Sequence, residues 1–192
     1  MLQKDFADIK SFLLGPAMIY ALPLPEKRER TESRSIERAA VALIIEHLFG
    51  SNTVMSHTSD GAPYIADCDK HISVSHSADY ALLAISDSHC VGVDIEEWRP
   101  SLSRIASRFL APSEFNIYSA SNALLLQAWT AKEAIFKTLG IRSLTISEII
   151  LPQNPDTTSF SSHGQEITLY KSTLGNSMIT LATIETDKNQ IL

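Results

Sequence analysis

The chain is poor in what several large protein classes require. It has two cysteines, Cys68 and Cys90, in 192 residues. No C-x-x-C or metal-finger spacing occurs, which argues against a zinc finger or a disulfide-built scaffold; two reduced thiols are expected. Aromatic residues make up 7% and the formal net charge is −6, so general nucleic-acid binding is not expected, and an anionic ligand would need a local basic patch. There is no P-loop, no G-x-G-x-x-G, no H-E-x-x-H and no G-x-S-x-G elbow. The uncharged stretch 11–25 (SFLLGPAMIYALPLP) is too short for a membrane span and is interrupted by Gly15, Pro16 and Pro23. The residues before it carry two Lys and two Asp, without the net positive charge of a signal peptide. A cytoplasmic protein with no membrane partner is therefore expected.

What is present starts with a 44% hydrophobic content, enough at this length for one good core or two small ones. The most informative segment is 91–137. Val91-Gly92-Val93-Asp94-Ile95-Glu96 alternates in period two and is rich in β-branched residues, which predicts a strand. Asp94 and Glu96 then share a face, about 6–7 Å apart at Cα. Gly92 marks a place where another group comes close. Downstream, Trp129, Lys132, Glu133, Phe136 and Lys137 recur at i, i+3, i+4, i+7 and i+8, the spacing of one helix. Packed on the strand, that helix would bring Asp94, Glu96, Glu133 and Lys137 together. Three carboxylates suit Mg²⁺, a hard cation that keeps room for water and phosphate oxygens, and a lysine beside them suits the phosphates. Each piece alone also reads as a solvated acidic strand end or an ordinary Glu–Lys pair; the two in this order favour a site.

The remaining elements follow in chain order. Met18–Leu22 reads as a strand, and a basic cluster, Pro25-Glu26-Lys27-Arg28-Glu29-Arg30, opens a helical region that runs to Phe49, with Gly50 as its stop. That cluster is either a solvated first turn or a phosphate clamp. Residues 59–64 turn; 71–77 and 80–86 are strands, and 91–96 is expected to pair back on 80–86. Ser75 and His76 are strand neighbours on opposite faces, so they do not form a nucleophile–base pair. Helices are expected at 102–110, 113–118 and 122–139, and strands near 146–151, 167–171 and 178–185. Residues 152–164 read as a loop or mobile hairpin. Arg104 and Arg108, one turn apart, could meet an acidic protein partner.

These motifs resemble the 4′-phosphopantetheinyl transferases. The family's G-x-D-x-E is matched by Gly92, Asp94 and Glu96, and its W-x-x-K-E-A-x-x-K by Trp129, Lys132, Glu133, Ala134 and Lys137. Pro25 to Arg30 is similar to the surfactin-type P-E-K-R-E-K, and Val74-Ser75-His76-Ser77 to I-S-H-S. The resemblance implies coenzyme A as substrate, with Lys27 and Arg30 on its 3′-phosphate and Ser75 and His76 on its phosphates. It implies Mg²⁺ (or Mn²⁺) on Asp94, Glu96 and Glu133, and a glutamate near the metal, here Glu114, as second-shell group or base. Where the family has Gly-Lys-Pro the chain has Gly61-Ala62-Pro63, so that lysine contact would be missing or supplied from elsewhere. The implied fold is α+β, two similar halves related by a pseudo-twofold axis, here 1–90 and 91–192, the second carrying the metal site, in a monomer.

The implied activity is transfer of 4′-phosphopantetheine from coenzyme A to a serine of an apo acyl or peptidyl carrier protein, with release of 3′,5′-ADP. Lys137 would stabilise charge on the leaving phosphate and Lys132 reach another phosphate; Glu133, Glu114 or a metal-bound water would take the serine proton. Trp129 is expected to be core packing. Two alternatives use the same residues: another Mg²⁺-dependent phosphotransferase or pyrophosphohydrolase, and a non-catalytic coenzyme A or carrier-protein binding module.

Overall fold

The computed structural model describes residues 8–25 and 30–186. Its fold is α+β. The first sheet contains β1 (Lys10–Leu14), β2 (Ala17–Pro23), β5 (His71–His76) and β6 (Tyr80–Ser86), in the antiparallel order β1-β2-β6-β5. The second contains β7 (His89–Glu96), β8 (Ser159–Ser162), β9 (Gln165–Leu174) and β10 (Ser177–Glu185), in the order β7-β10-β9-β8. Helix α1 (Arg30–Phe49) and a short hairpin of β3 (Met55–His57) and β4 (Pro63–Ile65) lie between β2 and β5 in sequence. Helices α2 (Pro100–Phe109), α3 (Pro112–Tyr118) and α4 (Asn122–Leu139) lie between β7 and β8. The sheets share a connection order: a strand, helix, then a hairpin whose last strand enters the middle. Among the described residues no helix is long and apolar enough to cross a membrane.

Period-two alternation sets the layers. On β6, Leu82 and Ala84 face the second sheet while Ala81 and Leu83 face α1. On β7, Val91, Val93 and Ile95 enter the core between the sheets, with Ile19, Ile179 and Leu181. Their neighbours Gly92, Asp94 and Glu96 therefore point the other way, toward α4. The face of α4 away from the sheet packs with Leu102, Phe109 and Tyr118 of α2 and α3. Ser121 caps α4, accepting from the Leu124 N–H at 3.2 Å, and Gly140 ends it at φ 60°, a conformation glycine adopts without strain.

Helix α4 lies very close to β7. A Cβ at Gly92 would stand 2.1 Å from the Ala134 carbonyl oxygen and 2.4 Å from Thr138 Oγ1. Thr138 Oγ1 donates to the Ala182 carbonyl at 3.0 Å, and Thr130 and Thr180 hydroxyls meet at 2.9 Å. These bonds anchor the helix across β10 as well.

Two expectations are corrected. Strand β7 pairs with β10, not with β6; the chain crosses at Asp87–Ser88 into the other sheet, because its apolar face fits the core between the sheets. Residues 146–148 form a 3₁₀ turn, not a strand: Glu148 accepts from the Thr145 N–H at 2.7 Å and its hydroxyl at 2.6 Å, and this local bonding outcompetes extension. Replacing Gly92 with alanine should destabilise the fold by about 3 kcal/mol, since helix backbone must move to admit the methyl; urea unfolding followed by circular dichroism measures this.

Candidate active site

Asp94 is the centre of a closed set of contacts. Its Oδ1 accepts from Ser75 Oγ and from Lys137 Nζ, both at 2.9 Å. Lys137 also donates to the Val93 carbonyl at 2.9 Å and to Ser75 Oγ at 3.3 Å. The Ile95 N–H donates to Ser75 Oγ at 3.3 Å, and the Val93 N–H to Ser73 Oγ at 3.0 Å. Serine hydroxyls of β5 thus bridge to the backbone of β7 where the sheets meet. All of this loads one oxygen of Asp94. Its Oδ2 is the buried side-chain polar atom among the described residues with no hydrogen-bond partner, on a residue 5% exposed. A buried carboxylate oxygen left bare is costly unless something binds it.

Glu96 is held differently. Trp129 Nε1 donates to its Oε1 at 3.0 Å, and Arg99 takes both oxygens, at 2.9 and 3.1 Å. Glu133 stands where Asp94, Glu96 and Lys137 all act on it: its carboxyl is raised by burial first, then by Asp94, against the pull of Lys137. Glu96 is likewise raised, by burial first and by Asp94 among lesser causes, with Trp129 and Arg99 opposing. Among the described residues no three Asp, Glu, His or Cys side chains converge tightly enough to hold a metal ion. The donor set nonetheless suits a hard divalent cation: the bare Asp94 Oδ2 offers one ligand, and the two glutamates are strained electrostatically by the acids around them.

Three cavities that share lining residues make a trough along β5, with Glu96 at one end and Lys137 at the other. One section, about 610 Å³, is lined by Ser33, Glu37, His76, Glu96, Trp98 and Arg99 among others. The next, about 710 Å³, shares Glu37 and His76 and adds Arg34, Arg38, Val41 and His57. The third, about 530 Å³, shares His57 and Val74 and reaches Ala62, Lys70 and Lys137. His76 Nε2 lies 3.3 Å from Glu37 Oε2.

The expected residues are thus partly gathered. Asp94, Glu96, Glu133 and Lys137 come together, with His76 on the trough. Ser75 is spent: its one proton goes to Asp94 and its oxygen accepts from Ile95 and Lys137, so it positions Asp94 and has no donor left for a phosphate. Lys132 and Glu114 are placed against each other. They form a 2.7 Å ion pair with neither side chain accessible to solvent. Glu114 also accepts from the Ala111 and Leu151 N–H groups at 2.7 Å, and Lys132 donates to the Ile149 carbonyl. Burial lowers the Lys132 ammonium against the opposing pull of Glu114. The pair ties α3, α4 and residues 149–151 together. Lys27 and the side chain of Arg30 lie outside the described residues.

Reading the sequence missed two groups. Trp129 packs edge-on to Phe109 at 5.0 Å and 69°, as a core residue would, but its indole N–H also orients Glu96. Arg99 carried one signal, its position three residues after Glu96. The arginines 34 and 38, one turn apart on α1, bring cations to the trough where Ala62 brings none.

With this geometry in view, residues 90–180 match the family model of the 4′-phosphopantetheinyl transferase superfamily. A 4′-phosphopantetheinyl transferase of Bacillus subtilis is 35% identical over 86 residues, covering 42% of this chain and 38% of that protein. The 4′-phosphopantetheinyl transferase HetI of Nostoc sp. is 28% identical over 143 residues, 68% of this chain and 60% of that one. The 4′-phosphopantetheinyl transferase gsp of Aneurinibacillus migulanus is 33% identical over 95 residues, 46% of this chain and 39% of the other. The matches therefore span from 38% to 60% of these relatives' own length.

Because the Glu133 carboxyl is raised in the fold, the unfolded chain releases that proton at lower pH. Its contribution to stability is complete below the ordinary carboxylate range and is lost as pH rises through the raised value. Glu133→Gln should therefore raise the melting temperature of the metal-free protein, with a larger gain at pH 7 than at pH 4; melting in EDTA at both pH values measures it.

Proposed function

We propose that this chain transfers 4′-phosphopantetheine from coenzyme A to a serine hydroxyl of an apo acyl or peptidyl carrier protein, releasing 3′,5′-ADP. The observation that carries the proposal is the bare, buried Asp94 Oδ2 beside Lys137, inside the segment that matches the superfamily. Asp94, Glu96 and Glu133 would hold Mg²⁺ or Mn²⁺, which supplies charge neutralisation and alignment of the pyrophosphate. The rest falls to the chain's own groups. Lys137, 28% exposed and already paired with Asp94, faces the charge that builds on the leaving phosphate. The serine oxygen forms a bond to the phosphorus bearing pantetheine as the bond to 3′,5′-ADP breaks, and its proton needs an acceptor. With Glu114 enclosed in the core, Glu133 is the side chain we assign.

The trough along β5 suits an extended, anionic ligand. His76, Arg34 and Arg38 would meet its phosphates, with Lys27 and Arg30 on the 3′-phosphate. We read 1–90 and 91–192 as two halves related by a pseudo-twofold axis, supported by the shared connection order of their sheets. We also take the protein to be a cytoplasmic monomer. Ala62 is the feature that favours the second reading, a binding module without catalysis.

Incubation with coenzyme A, Mg²⁺ and a panel of apo carrier proteins, followed by intact mass measurement, should show one phosphopantetheine added to a carrier serine. EDTA should abolish it, and Asp94→Ala should slow it by at least about a hundredfold with the fold intact. Full activity in a folded Asp94→Ala protein would sink the assignment, and binding of coenzyme A with no mass gain on any carrier would favour the module. Changing Lys27 and Arg30 together to alanine should raise KM for coenzyme A more than for dephospho-coenzyme A, which lacks the 3′-phosphate; equal effects would rule out the clamp.

A further inference from the structure

Arg99 has no part in the reading above, yet it occupies both oxygens of one of its proposed metal ligands. We propose that Arg99 is the resident counter-cation of Glu96, and that a divalent cation entering the site displaces it. The proposal rests on Asp94, Glu96 and Glu133 being the metal set.

The contacts of Glu96 are unequal in how easily they are given up. Its Oε1 accepts from Trp129 and from Arg99, and its Oε2 from Arg99 alone. Trp129 is locked: it sits on α4 and packs edge-on to Phe109, which is 2% exposed. Arg99 is not. Its side chain is 49% exposed against 17% for Glu96. It stands at the N-cap of α2 without capping that helix through its side chain, and Pro100 follows. Among the described contacts Glu96 is its one ionic partner. A cation that binds Glu96 therefore removes Arg99 into solvent and leaves the indole bond in place.

Charge balance explains why such a group is present. Asp94, Glu96 and Glu133 are three acids, and Lys137 is bound to Asp94 Oδ1. Without a second cation, two acids would stand unneutralised in a half-buried site. The guanidinium fork matches a carboxylate in two parallel bonds and holds Glu96 against repulsion from Asp94. A divalent cation supplies that charge itself, so Arg99 becomes surplus when it arrives. Arg99 is a positioning residue here, and it competes with the metal for Glu96 oxygens, which lowers metal affinity.

Mn²⁺ titrated into the full chain, with the free ion read by electron paramagnetic resonance and no carrier present, tests this without relying on turnover. Arg99→Gln should bind Mn²⁺ about three- to tenfold more tightly than the unaltered chain, the range set by the worth of a good carboxylate–guanidinium pair. Arg99→Lys, which keeps charge but not the fork, should fall between. In a Glu96→Gln background the same Arg99→Gln change should do nothing. An equal gain in that background would show a general charge effect and overturn the proposal. So would unchanged or weaker binding in both Arg99 variants while Asp94→Asn still abolishes binding. If the unaltered chain and Asp94→Asn take up Mn²⁺ equally poorly, the metal set itself is wrong, and this inference falls with it.

Discussion

Helix α4 can rest on β7 only because residue 92 has no side chain. The helix backbone at Ala134 and Thr138 occupies the space a Cβ would take. That contact sets the height of the helix above the sheet, and the height decides what its side chains can reach. Lys137 bonds a β7 carbonyl and Asp94 at once. Trp129, two turns earlier, delivers its N–H to Glu96. Raising the helix by the thickness of a methyl group would break these bonds together, since each is near the usual hydrogen-bond length. The packing of an apolar core and the placing of a polar site are here one constraint.

The second dependence is across the sheets. Strand β5 belongs to the first sheet and β7 to the second, and they do not share a ladder. Ser73 and Ser75 fill the gap, each accepting an N–H from β7. Ser75 then donates its own hydrogen bond to Asp94. Two residues apart on one face, the serines follow the same period as Asp94 and Glu96 opposite. The acid at the centre of the site is thus oriented by one sheet while its chain runs in the other.

Much of this was legible locally. Alternation over 91–96 placed Asp94 and Glu96 on one face, the 3.6 period placed Glu133 and Lys137 on another, and Gly92 signalled the close approach. Helix 122–139 was predicted with the bounds observed. What failed depended on distant partners. Pairing of β7 with β10 is chosen by residues more than eighty positions downstream, while proximity in sequence favours β6. Lys132 reads as a phosphate ligand by motif alone, but its neighbours in space are Glu114 and the Ile149 carbonyl, which close around it. Their ion pair and backbone bonds are what make burial of two charges tolerable.

The same contrast separates the two lysines of the helix. Lys132 and Lys137 are five residues apart, so they point well over a right angle from each other around the axis. One turns into the core between α3 and the 149–151 segment, where its charge is fully answered by protein groups. The other turns to the seam of the sheets, where protein groups answer Asp94 on one oxygen only. A buried carboxylate with one satisfied oxygen and one bare one is oriented but not neutral in its bonding. The satisfied side holds it still, and the bare side is left without a partner. That asymmetry, produced by Ser75 and Lys137 converging on Oδ1, sets Asp94 and Lys137 apart from the fully answered pair of Lys132 and Glu114.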